Sequence, residues 1–231
     1  GIPVSAIAMK LLDVRLKPSS AISKSVIGEF TKSAIASKTQ QIVVARNGGV
    51  LELYVIKTQP TPSLKLEHRL ETRSILRDMV PVRLVGEKRD VLAVTSDSGC
   101  LSIVDFESDF ISENPTLVTS PYGKSGCRRS TPGQHLASDP KGRAICVSAT
   151  EKRKLVYVLN QNTTEQQSMA LATPREAHRT RTLCLATVGV DNGYDNPIFA
   201  CLEVQYPDSE DSISSNKPPS KQLAYYELDL G

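Results

Sequence analysis

The chain has 231 residues, of which 39% are hydrophobic and 23% charged, and its formal net charge at pH 7 is +3. These values are ordinary for a folded protein, and so small a charge excess does not by itself indicate a nucleic-acid binder. No apolar run approaches the roughly 20 residues that a membrane-spanning helix needs. The start lacks the basic region of a signal peptide, so we treat residues 1–9, up to a potential start at Met9, as a leading segment outside the domain.

Short runs of alternating apolar residues recur along the chain in pairs, and each pair is joined by a polar turn. The runs are rich in β-branched residues and most of the turns contain Gly, Asn or Asp, which is typical of β-hairpins. Four hairpins are predicted, at 40–46 with 50–56, 89–96 with 100–106, 142–150 with 154–160, and 197–206 with 222–230. Additional strands are predicted at 22–30, 64–70, 80–85 and 181–190.

The hairpins form a repeat. Their second strands align on leucines separated by 50, 54 and 68 residues, namely Leu51, Leu101, Leu155 and Leu223. The last interval is lengthened by the Ser- and Pro-rich insert 207–220, which we interpret as a flexible loop. A repeat near 50 residues that holds about four short strands predicts β-propeller blades. The alternative is a β-sandwich with similar hairpins, but recurrence in four units favours the propeller.

The predicted fold is therefore all-β, a WD40-like partial propeller over residues 10–231 with about four blades of a larger ring. A propeller avoids free sheet edges by closing on itself, and four blades make only part of a ring of the usual size. We expect the natural protein to continue beyond Gly231. We also expect residues 1–231 alone to expose an unpaired edge and an apolar blade face.

The usual catalytic motifs are missing from the sequence. Gly123-Lys124-Ser125 imitates the end of a P-loop, but the position of its first glycine is Val118. No G-x-S-x-G string marks a serine hydrolase. The three histidines, His68, His135 and His178, lie far apart in the sequence without local partners. The acidic residues Asp97, Asp139 and Asp191 lie in turns, which aspartate side chains stabilise by bonding to the nearby backbone. We predict no catalytic residue and no cofactor, although a propeller hydrolase could assemble a site from distant loops.

The five cysteines, at positions 100, 127, 146, 184 and 201, contain no C-x-x-C pair and no Cys/His spacing typical of zinc sites. Their odd number and strand-like settings indicate reduced thiols in the cytosol or nucleus. No metal site is predicted.

One stretch is strongly basic. Between Lys124 and Lys154 eight basic residues face only Asp139 and Glu151, so this stretch carries +6 and the rest of the chain −3. Such a surface could meet RNA phosphates or an acidic protein surface, although a solvated rim balanced by acidic loops elsewhere is the alternative. The candidate partner-binding residues are Lys124, Arg128, Arg129, Lys141, Arg143, Lys152, Arg153 and Lys154.

Several segments carry a family resemblance. The segment 123–160, together with 188–203 and 226–231, closely resembles the splicing factor 3B subunit 3 family, called Rse1 in yeast. Segments 40–54 and 94–106 are similar to the same family more loosely. The similar strings include loops as well as strands, and the resemblance extends over residues 10–231, while the first strand region and the insert 207–220 depart from the family pattern.

The resemblance implies a large nuclear protein of three β-propellers with a helical C-terminal part, in which this chain opens the first propeller. It implies a non-enzymatic scaffold in the SF3b complex of the U2 small nuclear ribonucleoprotein, which engages the intron branch site. The implied partners are a HEAT-repeat subunit and a small companion subunit, with RNA contact at most peripheral. The family is related to the large subunits of the damaged-DNA-binding complex and of the cleavage and polyadenylation factor. The alternative function is therefore a ubiquitin-ligase adaptor of the damaged-DNA-binding type.

Overall fold

The computed structural model of the chain describes residues 21–58, 60–107, 116–123, 131–150, 153–160, 170–171, 173–178, 182–190, 193, 195–205 and 220–230. These residues form four antiparallel sheets and one short helix. We call the sheets blades 1 to 4 in chain order.

Blade 1 has four strands that are neighbours in chain order: β1 (Ile22–Gly28), β2 (Gln41–Arg46), β3 (Val50–Lys57) and β4 (Ser63–Glu71). The helix α1 (Lys32–Ser37) connects β1 to β2, and its first turn is capped by the Thr31 hydroxyl, which accepts from the Ala34 amide at 3.3 Å. The tight turn between β2 and β3 depends on Gly49, where an added Cβ would lie 2.1 Å from the Ser74 carbonyl oxygen.

Blade 2 also has four strands in chain order: β5 (Leu76–Arg83), β6 (Asp90–Ser96), β7 (Cys100–Val104) and β8 (Thr116–Pro121). Every residue of β6 is buried. This pattern arises because blade 2 has a neighbouring blade on each of its faces, so both sides of the central strand are covered.

Blade 3 contains five strands: β9 (Leu136–Ser138), β10 (Ala144–Thr150), β11 (Arg153–Asn160), β12 (Ala170–Leu171) and β13 (Arg175–His178). Both β12 and β13 pair with β11, at its two ends, so together they replace one outer strand. Blade 4 has three strands among the described residues: β14 (Thr182–Val190), β15 (Ile198–Gln205) and β16 (Ser220–Glu227).

The first strands of successive blades lie side by side, with β5 next to β1, β9 next to β5, and β14 next to β9. Asp78 on β5 links three of these blades, since one oxygen lies 3.2 Å from Lys24 Nζ and the other accepts from the Leu136 amide at 2.9 Å. Ser138 Oγ donates to the Pro81 carbonyl at 3.1 Å. The blades therefore follow one another around an axis, with their first strands innermost, as in a propeller.

Three apolar cores fill the spaces between neighbouring blades. The first lies between blades 1 and 2 around Leu53 and Leu92, and the second between blades 2 and 3 around Ile103 and Ile145. The third, between blades 3 and 4, is smaller and includes Phe199. Each fully buried aliphatic or aromatic side chain contributes about 1.5–3 kcal/mol, so contact between blades is the main source of stability.

The structure confirms the all-β blades, and the four predicted hairpins appear as β2–β3, β6–β7, β10–β11 and β15–β16. The strands β9, β12 and β13 were missed because two to four residues are too few to show alternation. The helix α1 was not predicted, because six residues are too few to show helical periodicity. The leading segment 1–9 and the insert from 207 to 219 lie outside the described residues, and Ser220 begins β16.

Candidate protein-binding surface

The turns of the blades lie at two opposite rims. One rim, which we call the hairpin rim, carries the β2–β3 and β6–β7 turns and the paired ends of β10 and β11 at Thr150 and Arg153. The β9–β10 turn is at the other end of β10, on what we call the opposite rim. Because β10 has seven residues, the two rims are separated by roughly 20 Å. The basic stretch of the sequence is therefore divided between two surfaces.

The hairpin rim is held together by two hydrogen bonds within blade 2 and by one, from Thr95 to Gly133, that joins blade 2 to the start of blade 3. The Asp97 carboxylate accepts from the Ile75 amide at 2.8 Å, and the Thr95 hydroxyl donates to the Gly133 carbonyl at 2.6 Å. The Tyr122 hydroxyl donates to the Ser96 carbonyl at 2.7 Å, and burial raises the pKa of Tyr122 to about 12. A rim built this way presents its loops at fixed positions, as a docking surface requires.

Two of the basic candidates, Lys141 and Arg143, lie on the opposite rim in the β9–β10 turn. Lys141 is exposed. Arg143 is half-buried, and its Nε and Nη2 donate to the buried Asp139 carboxylate at 2.8 and 3.0 Å. A third nitrogen, Nη1, donates to the Asp195 carbonyl oxygen. Arg143 therefore fastens this turn to blade 4, and its charge is largely compensated by Asp139.

The side chain of Lys154 is buried between blades 3 and 4 and does not lie on the rim surface. That side chain is 5% exposed, and its Nζ forms an ion pair with Glu203 Oε1 on β15 of the next blade. The same Nζ lies 4.6 Å from the centre of the Tyr226 ring. Glu203 also accepts from the Tyr226 hydroxyl at 2.7 Å and from Gln222 Nε2 at 3.2 Å. The expectation of a surface lysine is wrong here, because the alternation of β11 turns Lys154 toward blade 4 together with Val156.

Both charges of this pair are held in the ionised form. Burial by itself raises the pKa of Glu203, but hydrogen bonds from Lys154 and Tyr226 outweigh it and keep that pKa below its usual value. Burial likewise favours neutral Lys154, yet the hydrogen bond to Glu203 raises its pKa. The pair therefore acts as an electrostatic bridge between blades 3 and 4.

Of the five remaining candidates, only Arg153 is among the residues that the structure describes. Arg153 opens β11, where its backbone pairs with Thr150 across the hairpin turn. Lys124, Arg128, Arg129 and Lys152 lie outside the described residues. Before residues 124–130, the Gly123 amide donates to the Gly99 carbonyl at 3.0 Å, and after them the Gly133 carbonyl accepts from the Thr95 hydroxyl. Both flanks are therefore at the hairpin rim.

Sequence reasoning missed Glu203 and Tyr226 as partners of Lys154. A signal was present for the first, since Glu203 has the same strand parity as Phe199 and Cys201, which face the core. An acidic residue on an inward-facing position requires a partner, and Lys154 stands on the inward parity of its own strand.

The two outer blades each present a partly apolar outward face. On blade 4, Val188, Leu223 and Tyr225 are 59%, 58% and 63% exposed, and they pair across β14, β15 and β16 on the side away from blade 3. On blade 1, Ile27 and Leu66 are 55% and 45% exposed on the side away from blade 2. Apolar surface of this kind marks contact faces in folded proteins.

Blade 1's outward face also holds a charged cluster around Glu52. This buried carboxylate accepts from Arg46 Nε at 2.6 Å and from the Tyr54 hydroxyl at 2.7 Å, and Arg69 Nη1 lies 3.5 Å away. Burial raises the pKa of Glu52, but these hydrogen bonds together hold it below its usual value. The outward face of blade 1 therefore combines exposed apolar side chains with a charged cluster at its centre.

Across the part of the chain that the structure describes, no group of three or more His, Cys, Asp or Glu side chains is placed to hold a metal ion. No helix in that part is long and apolar enough to cross a membrane.

The sequence of this chain is similar to a known domain family and to several known proteins. The family model described as the RSE1/DDB1/CPSF1 first beta-propeller matches residues 21–231. Splicing factor 3B subunit 3 of Danio rerio is 39% identical over 230 residues, and spliceosome-associated protein 130 A of Arabidopsis thaliana is 37% identical over 227. Pre-mRNA-splicing factor RSE1 of Pyricularia oryzae is 39% identical over 231 residues.

Each of these alignments covers 96% of this chain but only 18% of the relative. The chain thus spans about a fifth of the length of the curated relatives it matches. The family model matches from residue 21, directly before β1, to residue 231, and so includes all four blades. The four blades, their order and this match agree, and the chain belongs to the RSE1/DDB1/CPSF1 first β-propeller family.

Proposed function

We propose that this chain is part of a non-enzymatic scaffold of the SF3b complex in the U2 small nuclear ribonucleoprotein, acting in the nucleus in pre-mRNA splicing. The observation that carries the proposal is the 37–39% identity to relatives named as splicing factors over 96% of this chain. The mechanism is rigidity, because hydrogen-bonded blades present loops at fixed positions and a partner docks across several of them. The proposed partners are a HEAT-repeat subunit and a small companion subunit of SF3b.

Affinity purification of the intact protein from nuclear extract tests this function. We expect SF3b and other U2 proteins to co-purify at near-stoichiometric amounts. The second candidate, a ubiquitin-ligase adaptor, is kept because the matched family description also includes DDB1. Recovery of cullin and ubiquitin-ligase subunits without splicing proteins would replace our proposal with that one.

Within this function, we propose that the hairpin rim near the β10–β11 turn meets an acidic partner surface through Arg128, Arg129, Lys152 and Arg153. Two observations support it: residues 124–130 and 151–153 together hold five basic residues against the single acidic Glu151, and Gly123, Gly133 and Thr150 lie at one rim. Local charge of this kind raises the rate of encounter with an oppositely charged partner more than it fixes final affinity. Arg143 is excluded from this surface because it lies on the opposite rim and is paired with Asp139. Lys154 is excluded because its charge is paired with Glu203 of blade 4.

Charge reversal tests the rim. Substituting the four residues by Glu should slow and weaken assembly, and the interaction of the unsubstituted protein should weaken as salt is raised. The matched control is Lys141→Glu, an exposed lysine of the same basic stretch on the opposite rim, which should assemble normally. Circular dichroism melts of both variants exclude misfolding. Unchanged melting with unchanged assembly of the fourfold variant would leave the basic residues as a solvated rim.

A further inference from the structure

A cluster of thiols and hydroxyls lies where blade 4 packs on blade 3. It contains two residues of β10, two of β14 and one of β15: Cys146 and Ser148, Cys184 and Thr187, and Cys201. The four described cysteines, these three and Cys100, are free thiols. Cys146 is part of the apolar core between blades 3 and 4. Neither that core nor the scaffold function accounts for Cys184 and Cys201 gathered with two hydroxyls.

The Thr187 hydroxyl joins two of the sulfur atoms. Its oxygen lies 3.2 Å from Cys184 Sγ and 3.5 Å from Cys201 Sγ, so sulfurs on adjacent strands share one hydrogen-bonding atom. Ser148 Oγ of blade 3 lies 3.4 Å from Cys184 Sγ and also contacts the Thr187 hydroxyl. Cys201 is fully buried, whereas Cys184 is half-buried, so solvent reaches only one of the pair.

The surroundings of the two sulfurs differ in a way that assigns their roles. A hydrogen bond from Cys201 is the largest influence lowering the pKa of Cys184, and the Ser148 and Thr187 hydroxyls lower it further against the opposing effect of burial. The same hydrogen bond, with burial, raises the pKa of Cys201. The thiolate is the reactive form of cysteine, and only Cys184 is reached by solvent, with the Ser148 and Thr187 hydroxyls 3.4 and 3.2 Å from its sulfur. Cys184 is therefore the nucleophile, and the fully buried Cys201 is its proton-bearing neighbour.

We propose that Cys184 and Cys201 form a peroxide-sensitive thiol pair, a modification site at the junction of blades 3 and 4. The Cys184 thiolate attacks one oxygen of hydrogen peroxide; the O–O bond breaks, hydroxide leaves and is protonated to water, and Cys184 becomes a sulfenic acid. Cys201 then gives up its proton through the Thr187 hydroxyl, and its sulfur attacks the sulfur of Cys184. The S–S bond forms, the S–O bond breaks, and a second water leaves.

The strand register decides what the bridge would do to the fold. Cys201 pairs with Thr187 and Cys184 pairs with Glu203, with a bulge in β14 between Cys184 and Ala186. Diagonal neighbours in a flat ladder lie roughly 7–8 Å apart, beyond the span of a disulfide, which is at most about 6.8 Å between Cα atoms. Closing the bridge therefore draws β14 against β15 at the bulge and withdraws Cys184 from Ser148, which loosens blade 4 from blade 3.

Peroxide titration of the intact protein tests the proposal, followed by alkylation of the remaining thiols and peptide mass spectrometry. We expect Cys184 to be oxidised several-fold faster than Cys100, which is also half-buried but lies on β7 of blade 2. The product should be a Cys184–Cys201 linked peptide that a dithiol reductant reverses. Oxidation of Cys100 as fast as Cys184, or a bridge from Cys184 to Cys146, would overturn the assignment.

Variants separate the two steps. Cys201→Ser should accumulate the sulfenic acid at Cys184, which dimedone captures, while Cys184→Ser should abolish both the adduct and the bridge. Thr187→Val keeps the side-chain shape and removes the shared hydroxyl, so it should slow bridge formation several-fold. Cys100→Ser is the matched control and should change neither rate. A Cys201→Ser protein with no dimedone adduct at Cys184 contradicts the proposed chemistry even if another variant fails to fold.

Discussion

Lys154 and Glu203 illustrate what one buried charge pair does in this fold. Each is almost completely buried, and each satisfies the other between β11 and β15. A buried ion pair adds little stability compared with apolar residues of similar size, but removing one partner leaves an uncompensated charge in a poorly solvated place. The pair therefore fixes how blades 3 and 4 fit together more than it strengthens them.

Lys154→Met should expose this dependence. We expect the free energy of opening of the β15 amides to fall by about 3–5 kcal/mol, because Glu203 then remains buried without its cation. Native-state hydrogen exchange of the intact protein, read by mass spectrometry, measures it. The double variant Lys154→Met/Glu203→Leu should recover most of the loss. Glu71→Gln, at an exposed ion pair with Arg69, is the control and should change opening by less than about 1 kcal/mol.

The same pair predicts a pH dependence with a definite sign. Because the pKa of Glu203 is lowered in the folded state, its contribution is fully present above the ordinary value of 4.5 and is lost as pH falls through the folded value. Protection of β15 should thus decrease on acidification below that ordinary value, and Glu203→Gln should flatten this part of the profile. A profile that is identical with and without the carboxylate would show that Glu203 is not ionised in the fold.

At the scale of single residues, the sequence predicted less than it contained. From the sequence, we interpret the basic stretch as one surface. In the structure, the alternation of β11 turns the Lys154 side chain inward, and the length of β10 places Lys141 on the opposite rim. Both could have been derived from strand parity once β10 and β11 were assigned. Parity also shows that Glu203 faces inward and needs a partner, but it does not identify that partner, because Glu203 and Tyr226 come from a different blade, about 50 and 70 residues further along the chain.

Between elements, tight turns decide how closely blades approach. Gly142, in the β9–β10 turn, has φ +71°, and an added Cβ would lie 1.7 Å from the Arg83 carbonyl oxygen at the end of β5. Gly86 has a similar φ of +83°, but nothing lies within 4 Å of its added Cβ. The two glycines share a backbone requirement and differ in the contact with a neighbouring blade.

Substituting each glycine by Ala separates these effects. Gly86→Ala should cost about 1–2 kcal/mol from backbone strain alone. Gly142→Ala should cost more, because blade 3 must move away from Arg83 of blade 2. Hydrogen exchange at β5 and β9 measures the difference. Equal losses in the two variants would show that the approach of the blades does not depend on Gly142.

Strands with apolar, β-branched runs were predictable to within one residue at each end, as β2, β6 and β14 demonstrate. Strand β8, TLVTSP, carries polar residues and a proline, so its sequence gives a weak strand signal. The ladder with β7 overrides that local preference, since each of its residues from Thr116 to Pro121 except Leu117 has a partner there. Pairing of this kind depends on the tertiary fold, which local patterns do not encode.

For the whole molecule, the repeat of about 50 residues was enough to predict the blades, while the order in which they pack is visible only in the structure. The arrangement leaves one apolar face at each end of the blade series. On the blade 4 face, the side chains of Val188, Leu223 and Tyr225 are all more than half exposed. Burying each of them would contribute about 1.5–3 kcal/mol.

Residues 1–231 expressed alone should therefore self-associate or aggregate through these faces. Light scattering coupled to size exclusion measures it, and Leu223→Ser with Tyr225→Ser should increase the monomeric fraction. Val85→Ser is the matched control, because Val85 is 55% exposed but lies in the β5–β6 turn, away from both faces. A monodisperse monomer that melts cooperatively without any substitution would mean that the four blades need no further contact.

The central claim, that these blades are a docking scaffold in a splicing complex, is tested most directly by a cross-linking map of the assembled complex with an amine-reactive reagent. We predict cross-links from Lys124 and Lys152 to SF3b subunits, above all to the HEAT-repeat subunit, with fewer from Lys141 and none from the buried Lys154. Cross-links from this rim to ubiquitin-ligase subunits alone, with no splicing protein among its neighbours, would contradict the account.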